Sequence, residues 1–148
     1  QGKTLRDFPF LKIFLIAYVW AGTSVLPIIE FGLTKKLILL FLENFLFIFA
    51  ITLPFDIRDY SRDISQNIKT IPQTVGLKNT KILASIMVLA SSLIFNMLEI
   101  DNYIQISNYA LSLLILPLIW LSDENKGEYY YLGLIDGIII LKLLIFFI

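Results

Sequence analysis

The sequence predicts an all-α membrane protein, a polytopic helix bundle with five transmembrane spans. Three observations carry that class. The 148-residue chain is 57% hydrophobic and 16% charged, against roughly 45–50% and about 25% in soluble domains, and its mean hydropathy is +0.79. Its apolar residues fall into five stretches, most of them near the ~20 residues that a helix needs to cross about 30 Å of hydrocarbon. Its charges collect between those stretches, most densely at Asp56, Arg58, Asp59, Arg62 and Asp63.

The first span covers 8–29, with Lys12 near its start, where a long side chain can snorkel to headgroups. Pro27 lies near its end, where a missing N–H does little harm. A turn around Gly32 leads to the second span, 37–55, which carries Glu43 and Asn44 in its interior and Pro54 at its close. Residues 56–81 form the longest polar segment. Pro72 and Gly76 break helices within it, and Asn79 or Thr80 is placed to cap the next helix. The third span, 82–98, is rich in Ser and Ala, which suit close helix packing. An acidic turn leads to the fourth span, 103–121, and a polar turn to the fifth, 129–148. No internal repeat or low-complexity linker divides the chain, so one bundle is expected.

Composition excludes several functions. The formal net charge is zero, which gives a nucleic-acid partner no electrostatic support. Without Cys or His there is no zinc site, thiol nucleophile or imidazole base. A metal would be held by oxygen, which favours Mg²⁺. Gln1 opens the sequence with no secretory leader after it, so a partial chain is expected. Alternating the polar segments across a membrane places nine basic residues on one side: Lys3, Arg6, Lys12, Arg58, Arg62, Lys69, Lys78, Lys81 and Lys126. The other side takes Lys35 and Lys36, and Lys142 lies within the last span. By the positive-inside rule the 56–81 segment is cytoplasmic, and Trp120, Tyr129, Tyr130 and Tyr131 flank the last cytoplasmic turn as an aromatic belt.

The chemistry is expected at Asp56, Asp59 and Asp63. On one helix, residues at i, i+3 and i+7 fall within roughly 60° of one another. Such a row repels itself, and a hard divalent cation would offset the repulsion while carrying phosphate oxygens on its remaining positions. A helix sends Arg58 and Arg62 off the acid face, although Arg62 can reach Asp59 at i,i+3. The plainer reading is a solvated charged turn. Its place directly after an apolar helix, at a membrane surface, favours the functional one.

Asp56-x-x-Asp59-x-x-x-Asp63, followed by Asn67-Ile68-Lys69-Thr70-Ile71-Pro72 and Gly76, resembles the second aspartate-rich motif of the UbiA family of intramembrane prenyltransferases. In that family the motif follows the sixth of nine transmembrane helices. The five spans here therefore resemble helices five to nine, and 1–148 the C-terminal half of such a domain. Leu11-Lys12, Trp20 and Pro27 are loosely similar to the fifth helix. The first aspartate-rich motif is not within these residues. The resemblance implies Mg²⁺-dependent transfer of a polyprenyl group from its diphosphate to an aromatic or other lipophilic acceptor, with the N-terminal half of the same protein as partner. It implies that Asp56, Asp59 and Asp63 hold the metal, that Asp59 and Asp63 are catalytic, and that Lys69, with Arg62 as a weaker candidate, meets the diphosphate.

Ionisable groups in apolar spans are costly and are functional candidates by default. Glu43 lies about a dozen residues before Asp56, roughly 18–20 Å along a helix, too far to join the metal site. Packing roles are expected for Asn44, Asn96 and Asn108, while Asp136 has either a helix partner or a site role. Tyr18, Trp20, Phe41, Phe45, Phe47 and Phe49 are read as core or lipid contacts rather than a prenyl groove. The rival functions are a catalytically inactive relative with a binding or assembly role, a soluble prenyl-diphosphate synthase and a transporter fragment. The uncharged spans oppose the synthase, and a transporter gives no reason for the acid row.

Overall fold

The computed structural model describes residues 11–27 and 34–145. The described residues are helical with no strands: α1 Leu11–Val25, α2 Lys35–Arg58, α3 Tyr60–Ser65, α4 Ile71–Val75, α5 Leu77–Asn96, α6 Asn102–Leu121, a π-helical segment Tyr129–Ile135, and α7 Asp136–Ile145. Of these, α2, α5 and α6 are long and apolar enough to cross a membrane. α1 is a shorter apolar helix of 15 residues. The first span expected from the sequence (8–29) and the last (129–148) lie partly outside the described residues.

The bundle is built around α2. Phe47, Ile48, Phe49, Ala50, Ile51 and Leu53 are all buried, so this helix is covered nearly all round, as a central bundle helix should be. It packs against α1 and α5 on different faces. The face of α1 is Ile13, Ala17, Ala21 and Val25, an i,i+4 stripe whose alanines let two backbones approach closely. The face of α5 is Thr80, Ala84, Val88, Ser91, Ser92 and Phe95. Beyond α5, α6 presents Asn108, Leu111, Ser112, Ile115 and Ile119, and the Ser92 and Ser112 hydroxyls hydrogen-bond across that seam. The outward faces carry large apolar side chains, among them Leu93, Ile106, Leu113 and Ile140. Large exposed apolar side chains on several helices are compatible with a membrane protein.

Several boundaries differ from the sequence reading. α2 does not stop near Phe55 but continues past Pro54 to Arg58. Proline removes one helical donor, yet the ladder resumes beyond it, with the Asp59 N–H bonded to the Phe55 carbonyl at 3.0 Å. The polar segment 56–81 is largely helical, because α3 and α4 fold within it. α5 begins at Leu77 rather than near Ile82. Asn79 and Thr80 do not cap it: their side chains donate to the carbonyls of Val75 and Gly76 one turn earlier. The break before α5 is made by Gly76, at φ 86° and ψ 155°, a region open essentially to glycine alone. The acidic turn before α6 supplies that helix's cap, the Asp101 carboxylate accepting from the Tyr103 N–H at 2.8 Å.

The aromatic residues of α1 and α2 form a packed ladder. Phe14 meets Phe45 and Tyr18 meets Phe41 edge-on, with Phe41, Phe45 and Phe49 in succession along α2. Tyr18 and Phe41 also line a cavity of about 580 Å³ between α1 and α2, so these rings both pack against one another and face open space.

Candidate functional site

The acid row gathers where α1, α2 and the π-helical segment meet. Asp56 sits in the last turn of α2, only 2% exposed. Its Oδ1 lies 3.4 Å from Nζ of Lys12, in the first turn of α1, while its Oδ2 has no hydrogen-bond partner. The row does not continue along one helix. α2 ends at Arg58 and α3 starts at Tyr60, so Asp59 occupies the joint, and Asp63 follows from α3, buried, with its own Oδ2 unpartnered.

Arg58 does not point away from the acids. Its Nε and one terminal nitrogen donate to the two oxygens of Asp59 at 2.9 and 3.0 Å, a two-pronged geometry that suits guanidinium and carboxylate. The rings of Phe55 and Tyr131 each lie 5.3 Å from the guanidinium carbon. An aromatic pair therefore flanks the guanidinium. Arg62 is exposed, and among the described residues neither Arg62 nor Lys69 forms a salt bridge.

The local field divides the row. The Arg58 bond holds the Asp59 carboxyl below the usual carboxylate range, against a smaller opposing effect of burial. Burial pushes Asp63 up, countered in part by the charge of Lys12. A cavity of about 330 Å³ opens beside the row. Its charged rim is Lys12, Asp56, Arg58, Asp59 and Asp136, and apolar side chains including Ile13, Ile51 and Phe55 form its walls. Asp136, left open by the sequence, thus belongs to the rim, whereas Asp63, Lys69 and Arg62 do not line it.

As they stand, the described carboxylates form no group of three close enough to share a metal ion. The side chains nonetheless offer two buried, unpartnered carboxylate oxygens, on Asp56 and Asp63. A buried polar atom without a partner is costly, and an oxygen-only donor set fits a hard cation such as Mg²⁺. Asp59 is committed to Arg58. Thr70 Oγ1 and Gln73 Nε2 are also buried without a partner, just after the acid row.

Sequence reasoning missed Lys12 as a site residue, because its partner is 44 positions away and no local spacing links them. It also missed that Glu43 of α2 and Lys142 of α7 form a buried ion pair at 2.6 Å. A signal for that pair did exist: one acid and one base, each isolated in an apolar span, are natural partners. Glu43 stays out of the acid row, as expected.

Compared with protein-family models, curated proteins and solved structures, the chain matches none.

Proposed function

We propose that this chain is the C-terminal half of a UbiA-like intramembrane prenyltransferase, its five spans corresponding to the last five of nine helices. On this reading it transfers a polyprenyl group from its diphosphate to an aromatic or other lipophilic acceptor, with the 56–81 segment on the cytoplasmic side. The observation that carries the reading is the unpartnered oxygen of buried Asp56, at the end of an apolar helix and on the charged rim of a cavity with apolar walls, with a second unpartnered oxygen on Asp63 of α3, which follows it. That amphipathic shape suits a molecule with an anionic head and a hydrocarbon tail.

In this scheme Asp56 and Asp63 hold Mg²⁺, and Asp59 keeps Arg58 turned toward the rim. The cation supplies charge neutralisation for a diphosphate leaving group. Lys12 and Arg58 are the nearer basic contacts for that diphosphate, while Lys69 and Arg62 would have to swing in from the surface. The complete protein should lose Mg²⁺-dependent prenyl transfer by a hundredfold or more, an order-of-magnitude expectation for removing a metal-held charge, in each of Asp56→Asn and Asp63→Asn. Unchanged turnover in both variants would refute the assignment.

A second reading is favoured by the pairing of Lys12 with Asp56 and of Arg58 with Asp59. Those contacts already compensate two of the three acids, as in a membrane protein that keeps the fold for binding or assembly. Equal stability with and without millimolar Mg²⁺ would support that alternative.

A further inference from the structure

The Glu43–Lys142 pair has no part in the chemistry proposed at the acid row. Lys142 Nζ donates to Glu43 Oε1, and Ser91 of α5 donates to the same oxygen at 3.3 Å. The pair therefore ties α2, α5 and α7 together, with side chains 1% and 8% exposed. Lys142 also lies 3.8 Å from the centroid of the Phe47 ring. An ammonium has three N–H donors, and among the described residues its one hydrogen-bond acceptor is Glu43.

Beside Lys142 is a second cavity, about 240 Å³, between α1, α2 and α7. Trp20, Ser24, Asn44 and Phe47 line it with Lys142. Trp20, Ile48 and Ile139 also wall the cavity at the acid row, so the two spaces are neighbours that share side chains. The inner one is small, and aromatic rings form part of its wall.

The lysine and the aromatic wall are what an occupant would meet. Glu43 already balances Lys142, so the cavity does not require an anion. A donor of the ammonium remains available in surroundings of low dielectric, where an oxygen acceptor gains more than it would in water. We propose that this inner cavity binds an uncharged, ring-bearing lipophile through a carbonyl oxygen that accepts a hydrogen bond from Lys142. The inference rests on the membrane placement of the helices given above and is independent of prenyl transfer at the acid row.

Benzophenone is a suitable probe, being neutral, aromatic and a ketone. On irradiation its carbonyl takes a hydrogen atom from a nearby C–H, and the two carbon radicals join, leaving a carbinol adduct that mass spectrometry can locate. The full chain in lipid nanodiscs should label saturably at residues around the cavity, such as Trp20, Phe47 and Ile139. Labelling there should fall roughly tenfold in Lys142→Met, as expected for a lost hydrogen bond to a charged donor. Because that change strands a buried carboxylate, the double variant Glu43→Leu with Lys142→Met serves as the folded control and should show the same loss. Asp56→Asn should label as the unaltered chain does. Diphenylmethane, which lacks the oxygen, should compete poorly. Labelling that rises linearly with concentration, or that is undiminished in the double variant, would overturn the site. Recovery of the chain in the aqueous fraction would instead overturn the membrane placement on which the site depends.

Discussion

Lys12 Nζ and Asp56 Oδ1, 3.4 Å apart, join the first turn of α1 to the last turn of α2. Lys12 is largely solvent-facing while Asp56 is buried, so the lysine reaches inward to a carboxylate that cannot reach out. It occupies one oxygen and leaves the other open. Any cation recruited to Asp56 arrives beside that ammonium, and any diphosphate arriving with it meets the same ammonium as an attractive charge.

Lys12→Gln should therefore act in opposite directions on the two ligands. Metal affinity should rise severalfold, because a nearby like charge is removed, with solvent screening keeping the gain modest. Affinity for inorganic diphosphate should fall. Mn²⁺ titration followed by electron paramagnetic resonance, with and without diphosphate, measures both. Parallel changes in the two affinities would mean that Lys12 acts only on packing.

Asp59 and Asp63 should impose opposite pH dependences. The folded pKa of Asp59 lies below its unfolded value because of Arg58. Its contribution to stability is thus present above about pH 4 and lost as pH falls through the folded pKa. Asp63 is raised by burial, so protonation favours the fold, and stability is gained as pH falls from the raised value toward the unfolded one. Asp59→Asn should lower stability at pH 7 by about 1 kcal/mol and flatten the acid limb of the melting curve. Asp63→Asn should instead raise the metal-free Tm slightly at pH 7 and abolish any Tm increase on adding Mg²⁺. Thermal melts in detergent across pH 3–7 distinguish these outcomes.

The sequence was legible wherever the determinants are local. Apolar runs located α2, α5 and α6, Gly76 marked a break, and the exclusion of Cys and His chemistry needed only composition. It was less legible where partners are remote. The helix joint at Asp59 divides a row that looks continuous in sequence, and Arg58 bonds to an acid that helical geometry had placed on another face. Tyr131, read with Trp120, Tyr129 and Tyr130 as part of an interfacial belt, is fully buried against Phe55 and Arg58. Its hydroxyl donates to the Asp123 carbonyl and accepts from the Asp123 N–H, contacts that depend on how the last helix is laid against α2.

Gly76 offers a test of the joint between α4 and α5. A Cβ built there meets nothing within 4 Å, so Gly76→Ala introduces no clash with a neighbour. The penalty is conformational, about 1–3 kcal/mol for an L-residue held at this φ and ψ. The change should lower Tm and increase amide exchange at the start of α5. Unchanged exchange there would mean that the joint tolerates a different backbone path.

The Glu43–Lys142 pair makes the strongest stability prediction. Removing one partner leaves the other buried without compensation, a loss of about 3–5 kcal/mol for buried pairs. Glu43→Leu and Lys142→Met should each destabilise the bundle by that order. Together they should destabilise it far less than the sum, because two apolar side chains can fill the space with no charge to solvate. A double-mutant cycle on unfolding in mixed micelles measures the difference. Large coupling would establish that the pair clamps α2 to α7, fixing the shared wall between the two cavities. Additive effects would mean that Ser91 and the Phe47 ring are enough to satisfy each charge separately.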